Sequence, residues 1–350
     1  MKILFVMDRR PDRGSIQAVA NYVRAGDRLG HPMAVYGRDD PHFPGVRFTT
    51  DVGGFDYAVF VNESWRHWMS GLRMPRLMAA FPRDRRAMLD ADGMYNPVVS
   101  VDGYDRNLAS EWERAQWRAH YELVTDKVLQ PTFEPIHSGV RSLPFYGYDP
   151  ASQLRTRGAK RYDVLHVGHN WWRWRQISSE LLPALECVRD RVGEVCFMGS
   201  WWDAAPVGAK MLDLEAAFGV DPERFRRLGI QTRPAVPFTE VIAAMSTAKV
   251  NLMTQRPLFR RLRLLTSKFF EIVCADTVPL VMIDPDHAAS VYGPAGRELA
   301  LHGDGIADKL LDVLGHPGQY AEIVNEVRRH LVAHHSYEVR VRQLVAALAD

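Results

Sequence analysis

The chain has 350 residues, of which 47% are hydrophobic, 10% aromatic and 25% charged, which supplies a packed core and excludes wholesale disorder. Because a single core stops growing at roughly 250 to 300 residues, we expect two domains. The 44 Lys and Arg residues nearly balance the 42 Asp and Glu residues, for a net charge of +2, so we expect no nucleic-acid partner and only a local surface for binding phosphate.

The first half of the chain predicts parallel strands separated by helices. Its apolar runs, which we predict to be strands, fall at residues 2–7, 33–36, 57–61, 86–89, 127–129 and 143–146. Apolar residues at helical spacing predict helices at 16–29 and 108–123, the first of them capped by Ser15 and stopped by Gly30. Continuous apolar strands alternating with helices are typical of a doubly wound α/β domain.

A polar and basic stretch at 148–161 is typical of an interdomain linker. A second succession follows, with predicted strands at 162–168, 194–198, 230–232, 249–253 and 278–283 and predicted helices at 176–191, 239–248, 267–274, 318–332 and 337–348. We therefore predict a first Rossmann-like domain at 1–155, a second Rossmann-like domain at 156–330 and a C-terminal helix at 331–350. Open parallel sheets bind ligands at the carboxyl ends of their strands, so two facing sheets leave a cleft for two substrates.

The three cysteines indicate the compartment. Cys187, Cys196 and Cys274 are scattered among apolar neighbours without Cys-x-x-Cys spacing or a disulfide framework, which favours a reducing environment. The apolar start of the chain is about five residues long, shorter than the roughly 7 to 15 of a signal-peptide core. Since no apolar run approaches the roughly 20 residues that span a bilayer, we expect a cytoplasmic protein without a membrane span.

The segment 256–279 carries the most informative chemistry. Four arginines precede its predicted helix and three polar residues open it: Arg256, Arg260, Arg261, Arg263, Thr266, Ser267 and Lys268. The unpaired N–H groups and positive dipole of a helix start, together with Arg and Lys, suit a diphosphate. Glu271, one turn inside, is spaced to reach the hydroxyls of an attached ribose. The alternative is a solvated basic loop ahead of a core helix.

Three pieces of this region, 266–271, 274–276 and 278–281, resemble the donor-site signature of GT-B glycosyltransferases, in which a Lys-x-x-Glu helix precedes a small-residue turn and a Pro-containing strand. The tail 335–344 resembles the ending of the spore-maturation CgeB-like branch, close to the glycosyltransferase family 4-like group. The resemblance implies the GT-B fold, in which two Rossmann-like domains face each other across a cleft and the C-terminal helix crosses back to the first domain. It also implies that the domain at 1–155 binds the acceptor and that the domain at 156–330 binds the nucleotide-sugar donor. Arg263 stands where retaining relatives carry a Glu, and Ala275-Asp276 replaces the usual glycine, so the stereochemistry stays open.

A second cluster follows the first strand of the predicted donor domain. The resemblance implies that this loop faces the donor pyrophosphate, through Gly168, His169, Asn170, Arg173 and Arg175. Its tryptophans, and the pair Trp201-Trp202 after the next strand, can stack on a base or sugar. The alternative is that the tryptophans pack in the core and the arginines lie on the surface.

In the first half, the loop after the first strand offers Arg10, Gly14 and Ser15, which the resemblance places near the acceptor and the donor sugar. The best candidates for a base that deprotonates an acceptor hydroxyl are Asp90, Asp92 and Asp102. Each of the three carboxylates is also compatible with a turn or cap.

Metal binding is not expected. His166 and His169 straddle the end of a strand, where side chains alternate between faces, and His334-His335 has no Cys or carboxylate set nearby. Asp90-x-Asp92 resembles the metal-binding Asp-x-Asp of the other major glycosyltransferase fold, but that fold has one nucleotide domain. We expect neither metal nor cofactor, with a nucleotide-diphosphate sugar as co-substrate.

Together these features predict a metal-independent glycosyltransferase of the hexosyltransferase type (EC 2.4) that acts on a hydroxyl-bearing acceptor. The alternatives are a sugar-nucleotide epimerase on the same fold and a catalytically silent nucleotide-sugar-binding protein. The donor base, the sugar, the acceptor and the oligomeric state stay open.

Overall fold

The structure is a computed structural model that describes residues 1–7, 14–62, 74–96, 111–156, 158–207, 209 and 215–350. Within these ranges the chain forms two sheets in which every strand pairing is parallel. The seven-stranded sheet has the order β3-β2-β1-β4-β5-β6-β7 and the five-stranded sheet the order β10-β9-β8-β11-β12.

The strands of the first sheet are β1 (Ile3–Val6), β2 (Met33–Tyr36), β3 (Phe48–Thr49), β4 (Tyr57–Asn62), β5 (Arg86–Asp90), β6 (Val128–Gln130) and β7 (Val140–Ser142). Those of the second are β8 (Tyr162–Val167), β9 (Val195–Met198), β10 (Ile230–Arg233), β11 (Ala248–Met253) and β12 (Val278–Val281). Strand β1, inside the first sheet, and strand β12, at the edge of the second, are both buried along their whole length, which explains their continuous apolar sequences. The predicted fold class, two doubly wound α/β units, is confirmed.

The helices of the first half are α1 (Gly14–Arg28), α2 (Met74–Ala80) and α3 (Glu111–Val124). In the second half, α4 (Trp174–Gln176), a π-helical turn (Ile177–Leu181) and α5 (Leu182–Val188) run on from one another. The others are α6 (Pro222–Arg227), α7 (Val241–Met245), α8 (Pro257–Arg261), α9 (Lys268–Cys274), α10 (Pro285–Tyr292), α11 (Ile306–Gly315), α12 (Pro317–His335) and α13 (Tyr337–Ala349). No helix in the described ranges is both long and apolar enough to cross a membrane.

One predicted strand is wrong. The apolar run at 143–146 is not a strand, and β7 instead ends at Ser142. Leu143, Phe145 and Tyr146 are buried, but after Leu143 the segment leaves the sheet and meets the C-terminal helices, where the Tyr146 carbonyl accepts a hydrogen bond from Arg340. Burial by helices gives the same apolar pattern as burial in a sheet.

The C-terminal helix crosses back to the first half, as predicted. The chain bends at Ser336, between α12 and α13, and α13 packs on α1. Glu338 forms an ion pair with Arg28, and the ring of Tyr337 packs edge-on against Tyr22 at 5.7 Å. The domain limits at 155, 330 and 350 stay a prediction.

Loops at the carboxyl ends of the two sheets meet across the cleft. A Cβ added to Gly93, in the loop after β5, would lie 2.5 Å from Leu262 Cδ1. In the same region Arg263 donates a hydrogen bond of 2.8 Å to Glu134, which follows β6. The segment 256–264 of the second half therefore packs directly against loops of the first.

Candidate functional site

A cluster of positive charge lies at the carboxyl ends of β8 and β11. Desolvation, and then the charge of Arg256, lower the pKa of the Arg173 guanidinium to about 10. Desolvation also lowers the pKa of Lys268, with a further contribution from Arg173, although Glu271 opposes the shift. Because the charge of Arg256 acts on Arg173 and the charge of Arg173 acts on Lys268, the three side chains are close together and form a candidate anion site.

Arg256 is one of the arginines that the sequence places ahead of the predicted helix, but it was not assigned individually to the donor, and the structure brings it into this cluster. Its side chain is largely buried, stacks on the Phe259 ring with the guanidinium carbon 4.3 Å from the ring centroid, and lies 3.6 Å from Asp92 across the cleft. Its Nε has no hydrogen-bond partner among the described residues. The available signal was its position three residues after the end of β11, at the ligand-facing edge of the sheet.

Glu271 lies in the first turn of α9 and is 13% exposed. Its Oε2 is 3.3 Å from Lys268 Nζ, but neither carboxylate oxygen accepts a hydrogen bond from the described residues. A buried carboxylate without donors is costly, whereas a bound ligand with hydroxyl groups would supply them.

The start of α9 meets the start of α1. A Cβ on Gly14 would lie only 2.7 Å from Ser267 Oγ, so glycine permits this close approach. The Ser267 carbonyl accepts from the N–H of Glu271 at 3.0 Å, and the Thr266 carbonyl from that of Phe269 at 3.2 Å, which sets the first turn of α9.

Ser15 lies inside α1 rather than at its cap, and its hydroxyl is 3.0 Å from the hydroxyl of Tyr146. Its side chain is therefore bonded inside the first half. Arg10, predicted in the same loop, lies outside the described residues.

The loop after β8 is fixed to the loop after β9. A Cβ on Gly199 would lie 2.0 Å from the Gly168 carbonyl oxygen, so the two loops touch backbone to backbone. His169 is exposed, and its Nδ1 accepts from the Ser200 N–H at 3.1 Å. Asn170 is buried and donates to the carbonyls of Trp201 and Gly219 at 2.9 and 2.8 Å. Asn170 thus fixes the shape of the loop through its hydrogen bonds, whereas Arg173 contributes positive charge to the site.

The tryptophans of these loops pack mostly against one another. Trp172 and Trp202 are buried, and Trp202 Nε1 donates to the Gly168 carbonyl at 2.8 Å. Trp171 and Trp201 are half-buried around Phe218, with ring centroids 4.9 Å away in each case. Trp172 and Trp201 have φ of 58° and 69°, a left-handed backbone that costs about 1–3 kcal/mol per residue and is concentrated at functional sites.

The candidate bases differ in environment. Asp90 is fully buried and accepts four hydrogen bonds of 2.7–2.9 Å, from the N–H groups of Met94 and Tyr95 and the side chains of Tyr121 and Gln130. Desolvation raises its pKa despite these bonds. Asp90 therefore holds the loop after β5 in shape.

Asp92 is the candidate that faces the cleft. It is 28% exposed and lies beside Arg256, at the boundary between the two halves. Asp102 lies outside the described residues.

The two remaining predicted donor residues, Arg175 and Arg261, are exposed. They line a separate pocket between α4 and α8. Arg263, which stands where the resembling glycosyltransferases carry a Glu, has φ of 49° and forms an ion pair with Glu134. An ion pair between the two halves therefore occupies that position.

The described residues contain no group of three His, Cys, Asp or Glu side chains that could hold a metal ion.

Residues 175–346 match the model of a family described as glycosyl transferase-like. No curated protein sequence matches the chain significantly. Among solved structures, the chain is similar to a DNA-modifying β-glucosyltransferase determined with and without uridine diphosphoglucose, with 13% identity over 99% of each chain and a TM-score of 0.63.

A structure of T4 phage BGT with UDP and Mn²⁺ has 12% identity over 99% of each chain and a TM-score of 0.57. An α-glucosyltransferase with UDP and a mismatched 13-mer DNA has 10% identity over 100% of each chain and a TM-score of 0.65. These likenesses show a shared fold, so the GT-B arrangement is confirmed, and the family model matches just under half of the chain. The narrower CgeB-like and family 4-like resemblance stays a prediction.

The prediction that excluded nucleic acid is wrong, because several solved chains with this fold are complexes with DNA. A net charge averaged over the whole chain does not report how charge is distributed. Here arginines concentrate at two neighbouring helices, α4 and α8, and at the residues just before them, around 173–175 and 256–261.

Proposed function

We propose that the protein is a glycosyltransferase that moves a sugar, expected to be a hexose, from a nucleotide-diphosphate sugar to an acceptor hydroxyl. The match of residues 175–346 supports the reaction class. The observation that carries the proposal is Glu271, whose two buried oxygens receive no hydrogen bond from the described residues although positive charge lies beside them. A nucleoside diphosphate meets both needs, since its ribose supplies hydroxyl donors and its phosphates supply negative charge.

In this mechanism the positive cluster stabilises the leaving group. Negative charge develops on the diphosphate as the bond to the sugar breaks, and Arg173, Arg256 and Lys268 are already held in a partly desolvated place. Preorganised cations at such a position contribute more than they would in water. Glu271 holds the ribose and so fixes the nucleotide against α9.

Asp92 is the base we propose if the reaction inverts the sugar configuration. It faces the cleft beside Arg256, which links the acceptor side to the diphosphate site. Asp90, occupied by four donors, is unsuited to accept a further proton. If the reaction retains configuration, no enzyme base is required and the departing phosphate takes the proton.

We propose that transfer needs no divalent metal and no cofactor, because three cationic side chains are placed to neutralise the diphosphate. The similar structure with UDP and Mn²⁺ makes this worth testing directly. Transfer in excess EDTA should match transfer in Mn²⁺ or Mg²⁺, and a rate that collapses in EDTA and returns with metal would overturn this part of the proposal.

For the acceptor we propose a hydroxyl on nucleic acid. Similar structures are complexes with DNA, and exposed arginines lie beside the proposed diphosphate site. Direct transfer of radiolabelled sugar to duplexes with and without a hydroxyl-bearing base tests this choice.

The first experiment is thermal unfolding with UDP, GDP, ADP and dTDP and their sugars. A ligand at 100 times its Kd adds about 2.7 kcal/mol to the free energy of unfolding, so the matching nucleotide should stand out. If none of the four raises Tm, the proposed function fails. Slow hydrolysis of the matching sugar nucleotide without acceptor favours a transferase, conversion to an epimer favours an epimerase, and binding without turnover favours a silent binder.

A further inference from the structure

A pocket lies beside the proposed diphosphate site. It has a volume of about 280 Å³ and opens between α4, with the π-helical turn that follows, and α8. Since pockets for drug-sized ligands begin at about 300 Å³, this one has room for one compact chemical unit. Its walls belong to the segments that also carry Arg173 and Arg256, so it adjoins the place where the sugar would be transferred.

The pocket is positively charged. Arg175, Arg260 and Arg261 line it, with Glu180 as the acidic lining residue, which leaves a surplus of two positive charges. Glu180 accepts a hydrogen bond of 2.8 Å from Arg260. A phosphate is the group that such an arrangement of arginines favours.

Two of the lining residues, Gln255 and Glu180, also carry a buried oxygen that accepts no hydrogen bond from the described residues. Gln255 is 4% exposed and donates through Nε2 to the Leu264 carbonyl at 3.0 Å, which fixes its amide orientation and leaves Oε1 buried without a donor. Glu180 Oε2 is likewise buried without a donor. Buried acceptors of this kind call for a hydroxyl or amino group.

Gln176 makes the base of this pocket rigid. Its Nε2 donates to the Met282 carbonyl at 2.7 Å, and its Oε1 accepts from the Gln255 N–H at 3.2 Å. Both ends of the Gln176 amide are therefore committed to the fold. The two unsatisfied oxygens stand in a fixed frame, as expected for a built site rather than a mobile surface.

We propose that this pocket binds a phosphate ester of the acceptor together with a neighbouring hydroxyl or amino group. The inference rests on the proposed function, because it assigns the acceptor side of the same reaction. It reassigns Arg175 and Arg261 from the donor to the acceptor. A nucleotide unit of a nucleic-acid strand has this chemistry, and so does a small phosphorylated polyol.

The test is binding to the full chain with its donor site saturated by the matching nucleoside diphosphate, so that phosphate cannot bind there. The two probes are a short fluorescein-labelled DNA duplex and glycerol phosphate. For Arg261→Gln we expect the duplex to bind about tenfold more weakly. We also expect the slope of the logarithm of the binding constant against the logarithm of salt concentration to become shallower by about one, as for the loss of one phosphate contact. Arg191→Gln is the matched control, because Arg191 is exposed in the turn before β9. That turn lies at the amino-terminal ends of the strands, whereas the pocket lies at their carboxyl ends.

Methyl phosphate tests the unsatisfied oxygens without a mutation. Glycerol phosphate should bind more tightly than methyl phosphate, because only glycerol offers hydroxyl donors. If the duplex binds and Arg261→Gln weakens that binding, the phosphate belongs to a nucleic acid. If Arg261→Gln weakens the binding of glycerol phosphate but not that of the duplex, the acceptor is a small molecule.

The inference is overturned if Arg261→Gln and Arg175→Gln bind both probes as tightly as the unmodified chain does. The affinity for the nucleoside diphosphate is measured separately in each variant. A chain that binds no nucleotide contradicts the proposed function itself, whereas a chain that binds nucleotide normally and ignores both probes contradicts only the assignment of this pocket.

Discussion

Two buried carboxylates in this protein have opposite surroundings. Asp90 accepts four hydrogen bonds within the first half of the chain, whereas Glu271 accepts none from the described residues. A fully satisfied buried carboxylate stabilises the loop that supplies its donors, and an unsatisfied one is tolerated where a ligand completes it. The same residue class therefore has a structural role at Asp90, whereas at Glu271 we propose a role in binding.

Asp90→Asn should destabilise the protein. The Asn side chain keeps one acceptor oxygen but turns an N–H₂ toward groups that are themselves donors, so at least one buried donor is left unsatisfied, at about 1–3 kcal/mol. Urea unfolding measures the change, and nucleotide affinity should stay within about twofold. A variant that unfolds like the unmodified chain but transfers no sugar would instead identify Asp90 as the base.

Glu271→Gln should weaken nucleotide binding by about tenfold, because the carboxylate's hydrogen bonds to ribose hydroxyls are worth about 1–2 kcal/mol more than those of a neutral amide. The free energy of unfolding should change by less than about 1 kcal/mol. Comparing ribo- and deoxyribonucleoside diphosphates isolates the contact, since the unmodified chain should prefer the ribose form and the variant should lose that preference. An equal preference in both proteins contradicts the assignment.

At the scale of elements, the C-terminal helices are held to the first half by a buried arginine. Arg340, on α13, is fully buried, and it donates to the Tyr146 carbonyl at 2.8 Å and to Gln343 Oε1 at 2.9 Å. A third hydrogen bond goes to Nδ1 of His335, which must be unprotonated to accept it. The tail motif noticed in the sequence therefore joins the ends of α12 and α13 to the segment that follows β7.

This arrangement predicts a pH dependence of stability. Burial, and then the charge of Arg340, lower the pKa of His335 from 6.5 to about 2. Between these values the unfolded chain binds a proton that the folded chain does not, so the contribution of His335 is complete above pH 6.5 and is lost as the pH falls below it. The slope from this residue is about 1.4 kcal/mol per pH unit.

His335→Gln keeps an acceptor for Arg340 and removes the titrating group. Its free energy of unfolding, measured in urea between pH 7 and pH 4, should fall less steeply with pH than that of the unmodified chain. The difference between the two slopes should correspond to the binding of about one fewer proton on unfolding. His334→Gln is the control, because that neighbouring side chain is exposed. Parallel curves for His335→Gln and the unmodified chain would contradict the role given to His335.

The sequence predicts helices and strands better than it predicts the contacts between them. Strands such as β2 and β12 are visible because apolar runs buried on both faces leave a local pattern. Short helices were missed, among them α6, which is only 6 residues long and is capped by Asp221. Lys268 and Glu271 could be found because their spacing belongs to one helix. The approach of Arg256 to Asp92 could not, because the relative position of two sheets creates it.

At the scale of the whole molecule, the cleft depends on how closely its two sides approach. Gly14 of α1 touches Ser267 ahead of α9, and Gly93 touches the loop at Leu262. Asp92 and Arg256 then lie 3.6 Å apart, within reach of one substrate pair. Because a displacement of about 1 Å can cost a hundredfold in rate, we expect these glycine contacts to affect sugar transfer more than folding.

Gly14→Ala tests that separation. The new Cβ would lie 2.7 Å from Ser267 Oγ, so either the Ser267 hydroxyl turns away or the two helix starts move apart by a few tenths of an ångström. Alanine also favours the helix by about 0.5–1 kcal/mol, so the free energy of unfolding should not fall much while kcat/KM for sugar transfer falls at least tenfold. Gly318→Ala, in α12 with open space around it, is the control and should raise stability without affecting transfer.

Ser267→Gly in the Gly14→Ala background removes the colliding hydroxyl and should restore most of the lost kcat/KM. Rescue by the second change separates crowding at the cleft from any local effect on α1, because each single variant alters only one side of the contact. If Gly14→Ala transfers sugar as fast as the unmodified chain, the two sides of the cleft need not come this close during turnover.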